Sequence, residues 1–278
     1  MIGRPSTLLL FVLCFFPAGG LGQLTPAQTR DFVRRSAQVQ QTNWKHAPEF
    51  DFCETDKTKD GTRTSAVFMI EGSPYYRLVQ LNGQDLPPAQ ESQEKARLAA
   101  ARQKRARESQ QEKAKRVAQY QKERQQDQQL LAQLTQAMRF TFVDSETAGA
   151  HSVYMFDATP RPSYDPPSME TQVLTGMKGR LWIEQSSAQW VKVEAQVVQP
   201  VSIAGFLARV EPGTRFGLEV SPVTPEIWLP HHYTMQSRAR IVFLFNKVSQ
   251  DDETYFHYVP NGKLTADACR SKNAEAQP

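Results

Sequence analysis

The stretch 179–220, GRLWIEQSSAQWVKVEAQVVQPVSIAGFLARVEPGTRFGLEV, leaves this chain few architectures to choose from. Within Trp190–Val197, Val191, Val193, Ala195 and Val197 are small and apolar, and Lys192, Glu194 and Gln196 between them are polar. A period of two marks a strand with one dry face and one wet face. Gly179–Glu184 reads as a second strand, and Gln185-Ser186-Ser187-Ala188 as the polar turn that joins the two in a hairpin. Thr214–Val220 repeats the pattern, with Phe216, Leu218 and Val220 on one side and Arg215 and Glu219 on the other. A half-dry antiparallel sheet must have its apolar side covered, by the chain itself or by a ligand.

Further strands are expected on both sides of this core. Phe50–Lys57 and Thr62–Glu71 flank Thr58-Lys59-Asp60-Gly61, and Asp-Gly is a strong hairpin signal. Gly72–Leu81 follows as a third strand and ends at Asn82-Gly83, so the simplest reading is an antiparallel meander. Arg139–Asp144 and Ser152–Ala158 read as another pair around a loose turn at Thr147-Ala148-Gly149-Ala150. The proline-dense 159–168 is irregular. Beyond Val220, Glu226–Leu229 and His231–Arg238 are expected as strands broken at Pro230, followed by Ala239–Val248 and Glu253–Val259. In Ala239–Val248, Ile241, Phe243 and Phe245 share one face.

The chain opens differently. One positive charge in Met1–Arg4, an apolar run over Leu8–Phe16 and small turn-forming residues over Pro17–Gly22 have the three-part order of a secretory signal. The run is shorter than the ~20 residues needed to span a bilayer. Cleavage after Gly22 would release 23–278 into an exported, oxidising compartment. That product keeps two cysteines, Cys53 and Cys269, either bridged to each other or left as free thiols.

Two helical stretches stand out. Gln23–Trp44 is amphipathic and opens with Thr25-Pro26, a cap followed by a first-turn proline. From Pro88 to Met138 there is no glycine and no further proline, and Gln, Ala, Lys, Arg and Glu dominate. Lys95–Arg124 holds eleven Lys or Arg against three Glu, in a chain whose net charge is only +4. Apolar residues are sparse there (Leu98, Val117, Tyr120) until Leu130, Leu131, Leu134 and Met138 form a stripe. The expectation is a long basic helical insertion over 88–138, solvated for most of its length and docked by its last turns. Such an arm suits an anionic membrane surface or an envelope protein. No aromatic platform or zipper accompanies it, which argues against nucleic acid.

Reactive motifs are missing. There is no GxSxG, HExxH or phosphate-binding glycine loop. His231 and His232 are neighbours on a strand and so point to opposite faces, which denies them a shared metal. Asp51 with Glu54 is split in the same way, and Asp251-Asp252-Glu253 reads as a hairpin turn. No catalytic constellation, metal site or cofactor site is expected.

The strand order carried by GRLWIEQSSAQWVKVEAQV, FLARVEPGTRFGLEVSPV and EIWLPHHYTMQSRARIVFLFNKV resembles exported bacterial proteins of the outer-membrane lipoprotein-sorting type. SPYYRLVQLNGQDLPPAQ followed by a charged helix is similar to them as well. These share the LolA-like fold with the lipoprotein carrier and the RseB/MucB-type stress sensors. The resemblance implies an α+β domain over 23–278, in which a strongly curved antiparallel sheet, a half-barrel, wraps helices. It also implies a periplasmic location and a concave face that holds lipid or lipoprotein acyl chains. The long basic helix is a departure from that pattern.

The reading is an exported, non-enzymatic binder of lipid or acyl chains. Its expected apolar lining is Val191, Val193, Phe216, Leu218, Ile241, Phe243 and Phe245. The other reading is an envelope sensor or scaffold that docks a partner through the basic helix. Intact-mass analysis of the exported protein should show a chain starting near Gln23; one that still carries residues 1–22 would contradict the export reading.

Overall fold

The computed structural model describes residues 23–203, 208–241 and 245–270. The expected signal, 1–22, and Phe243 lie outside them. Thr25 opens α1 (Pro26–His46): its hydroxyl accepts from the Gln28 N–H, and the Gln28 side chain accepts from the Thr25 N–H. That reciprocal cap satisfies two donors that the first helical turn would otherwise leave bare. The meander follows as β1 (Phe50–Thr58), β2 (Gly61–Ile70), β3 (Ser73–Leu81) and the short β4 (Gln84–Asp85). Two helices, α2 (Pro88–Ala106) and α3 (Gln110–Ala137), lead to β5 (Met138–Ala148) and β6 (His151–Pro160). A 3-10 turn at Glu170–Gly176 precedes β7 (Met177–Glu184) and β8 (Trp190–Val197). Then come β9 (Val201–Ile203), β10 (Ala208–Val210), β11 (Arg215–Pro222), β12 (Trp228–Ile241) and β13 (Phe245–Pro260).

All the pairings are antiparallel, and the fold class is α+β. The order is β4-β3-β2-β1-β13-β12-β11-β8-β7-β6-β5, with β10 paired to β12 and β9 to β10. The sheet is open, with β4 and β5 at its edges. Strands in this number, each turned by ~20–25° on its neighbour, cannot lie flat. Bulges in β1/β13, β2/β3, β5/β6, β7/β8 and β11/β12 bend them further.

Residues paired across strands project to the same side, so the register defines two faces. Phe156, Leu181, Val193, Leu218, Tyr233, Glu253 and Asp56 form one continuous row. This is the α1 face: Val33 packs there with Phe156, Leu181, Ile183, Trp190, Val220 and Trp228. The helix lies across the strands. Phe32 meets Tyr154 and Phe156 on β6 at ring distances of 5.3 and 6.0 Å. One turn on, Ser36 Oγ accepts from Trp190 Nε1 at 3.2 Å. Near the end of α1, Asn43 donates to Gln189 Oε1 at 2.6 Å and accepts from the Trp228 N–H at 3.3 Å.

Over β1–β3 the opposite, far face is the covered one. Cys53, Ala66, Phe68, Val79 and Phe256 pack there with Leu98 of α2 and with Leu264, Ala266 and Cys269 near the C-terminus. The Cys53 and Cys269 sulfurs are bonded, with the Cα atoms 5.4 Å apart. Asp51, fully buried, accepts from the N–H groups of Met69 and Gly262, both at 2.7 Å. Arg270 pairs with Glu91 of α2 at 2.9 Å, and Arg77 of β3 pairs with the same carboxylate. The C-terminal segment is therefore fastened by a covalent bond, a carboxylate and an ion-pair network.

Most side chains of the basic segment are exposed, but it is docked over much more than its last turns. It breaks at Arg107–Ser109, where Ser109 and Glu112 form a second reciprocal cap, and it folds around the β2–β3 turn. Arg105 donates to the carbonyls of Ile70, Ser73 and Pro74 at 3.0, 2.8 and 3.1 Å. Arg116 donates to Ser73 Oγ at 2.6 Å and Glu71 O at 3.2 Å, and pairs with Glu108 at 2.6 Å. Gly72, at φ 86°, sits under Val117, whose Cγ2 would lie 3.2 Å from an added Cβ. Further along α3, Arg124 donates to the Trp44 carbonyl and lies 4.8 Å over the indole ring. Arginine stems bury like aliphatics while their heads satisfy carbonyls, so a segment poor in apolar residues still docks.

Three strand expectations are also corrected. β12 runs through Pro230, because a bulge opposite Glu219–Val220 absorbs its missing donor. Asp251–Glu253 lies in mid-strand, paired with Met235, Thr234 and Tyr233, and is not a turn. Ala239–Val248 is not one strand: β12 ends at Ile241 and pairs there with Phe245, where β13 begins.

Arg116→Ala should lower the denaturation midpoint, since Ser73, the Glu71 carbonyl and Glu108 lose a shared charged donor. An unchanged denaturation midpoint would mean the segment is not docked. Unreduced peptide mapping should recover the Cys53 and Cys269 peptides linked; full reaction of both with a thiol reagent in the native protein would contradict the bridge.

Candidate functional site

Of the residues expected to line a site, Val191, Val193 and Leu218 are partly buried and pack against the core beneath α1. Val193 and Leu218 oppose each other directly, and Phe216 lies opposite Ala195, one step along the same face. The Phe216 ring meets Tyr233 edge-on at 5.6 Å. Ile241 and Phe245 oppose each other at the far ends of β12 and β13, away from that group along the strands.

The α1 face continues past Tyr233 onto β13, β1, β2 and β3. Local alternation fixes its side chains: in FDFCE, Cys53 takes the far face and its core, so Phe52 and Glu54 take the α1 face. On β13, Phe256 faces Cys53 and leaves Tyr255 and Glu253 beside Glu54 and Asp56. Phe52 packs on Tyr255 at 5.9 Å and on Tyr258 at 5.2 Å. Tyr258 donates to the Pro230 carbonyl at 2.8 Å, and Tyr255 donates to the Glu253 carboxylate. Tyr76 lies in line with Phe52 through Val67.

The electrostatics mark this strip as poorly solvated. Burial, with the Glu253 and Asp56 charges added, pushes the Glu54 carboxyl up to about 7. Burial also raises Glu253, against the lowering effect of the Tyr255 hydroxyl. The hydroxyls of Tyr76, Tyr255 and Tyr258 are all driven up, chiefly by desolvation. Yet Tyr76 is 53% exposed. Tyr120 and Glu123 of α3 act on its hydroxyl as well, so α3 runs close by. Rings with polar tips around partly desolvated carboxyls suit a ligand with a large apolar body and a few polar atoms.

The histidine pair is split between separate partners. His231 Nδ1 lies 3.2 Å from the Tyr255 carbonyl, and His232 Nε2 lies 2.9 Å from Asp252. Among the described residues no three His, Cys, Asp or Glu side chains converge on a metal position. Sequence reasoning named Phe216 but missed Phe52, Tyr76, Tyr233, Tyr255 and Tyr258. The signal was present in the alternation of FDFCE and ETYFHYV. What was absent was the knowledge that β1 and β13 are neighbours.

The fold and strip thus define an open antiparallel sheet with a helix across one face and a strip of aromatic side chains beside it. Neither the protein-family models nor the curated proteins contain a match to the chain. Among solved structures it is similar to a domain described as an outer membrane lipoprotein-sorting protein from Vibrio parahaemolyticus. That likeness is at 10% identity, over 86% of this chain and 100% of the other, with a TM-score of 0.31. Similarity of that order is too loose to carry an argument about activity.

Because the folded state holds the Glu54 proton more tightly than an ordinary carboxyl, stability contributed by this group is fully present below pH ~4.5 and falls as pH rises towards 7. Glu54→Gln, which mimics the protonated form, should raise the melting temperature at pH 8 and leave it nearly unchanged near pH 4.5. Equal effects at both pH values would show that Glu54 is an ordinary solvated carboxylate.

Proposed function

We propose that this chain is an exported, non-enzymatic binding protein that holds lipid or acyl chains against the α1 face of its sheet. The observation behind this reading is that the apolar row does not end where α1 ends. Under α1 it is core, through Val193 and Leu218. Beyond α1 it passes through Phe216 and Tyr233 to Phe52, Tyr255 and Tyr258, aromatic side chains that are only partly buried. Each methylene shielded there is worth ~0.8 kcal/mol, so affinity would grow with the length of chain that the strip covers. The Cys53–Cys269 bond suits an oxidising compartment such as the periplasm. The engagement of Arg105, Arg116 and Arg124 inside the fold takes those cations away from any partner docked through the basic helices.

Native mass spectrometry of protein purified from its own envelope should show a co-purifying lipid mass. Phe216→Ala should lose that mass while the ligand-free protein melts nearly as before. A loss of ~3–5 kcal/mol of ligand-free stability, with no lipid on either protein, would make the α1 face an ordinary filled core.

A further inference from the structure

The far face of the β5–β12 half carries a regular feature with no structural task. Arg139 opposes Thr159, Lys178 opposes Gln196, Gln196 opposes Arg215, and Arg215 opposes Gln236. Ala158 opposes Gly179, so Thr159 and Lys178, the next residues out, fall in line with each other. The result is one straight row across six strands: Arg139, Thr159, Lys178, Gln196, Arg215, Gln236. No bulge interrupts it, because the shifts in these pairings all lie further along the strands. Cations stand on every second strand, ~9.5 Å apart, with a hydroxyl or an amide between them.

These cations are free where their neighbours are not. Arg139, Lys178 and Arg215 are exposed, and among the described residues none has a carboxylate within ion-pair distance. The carboxylates of the adjoining row are occupied, Asp157 by Arg180 at 2.7 Å and Glu194 by Lys192 at 2.8 Å. Beside the row runs an open groove of about 550 Å³, lined by Lys178, Gln196 and Arg215 and, from the adjoining row, by the ion-paired Asp157, Arg180 and Glu194. Gly217 keeps its floor low: a Cβ there would lie 2.6 Å from Thr234 Oγ1.

We infer that this row is a binding track for a linear acidic polysaccharide, independent of the ligand on the α1 face. The alternation carries the choice. In a polyuronate each ring carries one carboxylate among hydroxyls, so anions alternate with neutral hydroxyl groups along the chain as the cations here alternate with Gln and Thr, whose amides and hydroxyls both donate and accept. Single-stranded nucleic acid binds on stacked aromatics, and the row has none. Membrane docking calls for a dense cluster of cations or an apolar face to insert, and the row is a single file with neither.

Polygalacturonate is the probe, with dextran as the uncharged control. Wild type should bind polygalacturonate, ignore dextran, and bind less as salt rises. The double variant Lys178→Gln with Arg215→Gln, at exposed positions, should bind about tenfold more weakly. Gln196→Ala with Gln236→Ala should weaken binding without changing its salt dependence. Failure to bind polygalacturonate, or binding that the double variant leaves intact, would overturn the proposal. Equally tight, variant-sensitive binding to phosphatidylglycerol vesicles or to oligo-dT would overturn it as well, in favour of a general anion surface.

Discussion

The pairing of β1 with β13 is the constraint on which the rest of this structure depends. Without it the chain would form two sheets, a meander of β1–β4 and a second sheet from β13 through β5. Joined, they make one surface on which residues some 200 positions apart in sequence become neighbours. Phe52 reaches Tyr255 and Tyr258, and Glu54 feels Glu253. Cys53 reaches Cys269 across a separation of 216 residues. A closure of that length costs the unfolded chain several kcal/mol of entropy once the bond is made, by the loop model. The bond and the Asp51 carboxylate act at this junction, where two locally formed parts must be held together, and the Arg270–Glu91 pair fastens the same C-terminal segment to α2.

The same junction explains why the helices sit on opposite faces. α1 covers one side of the β5–β12 half, and α2 covers the other side of β1–β3. The α2–α3 turn carries the chain around the β2–β3 hairpin, from one side to the other. Arginine suits that passage because the end of a hairpin exposes carbonyls, and Arg105 and Arg116 between them satisfy Ile70, Glu71, Ser73 and Pro74. α1 is held differently. Its buried residues are Thr29, Val33, Ser36, Gln40 and Asn43, with one aliphatic among them. Short polar side chains let it approach the strands closely and fix its register by hydrogen bonds to Trp190, Gln189 and Trp228.

Local structure was legible in the sequence wherever one period ruled. β8 was read at its observed limits, Trp190–Val197, and the meander and α1 to within a few residues, because alternation and capping are local signals. The break at Arg107–Ser109 was missed although Ser109 and Glu112 spell a cap, since the helix-forming composition is uniform on both sides. The hairpin between β12 and β13 was missed because its two apolar strands run together as ARIVFLFNKV. Docking of the basic helices was missed because counting apolar residues ignores what an arginine stem and its five donors can do. The aromatic strip required the β1–β13 register, which no local pattern contains.

The central claim is that the apolar face beyond α1 receives a ligand. It is tested most directly by a crystal of the protein soaked with a fatty acid brominated along its chain. Anomalous bromine peaks should fall on the α1 face, in contact with Tyr233, Phe52 and Tyr255. Peaks confined to other surfaces, or none at saturating fatty acid, would contradict it.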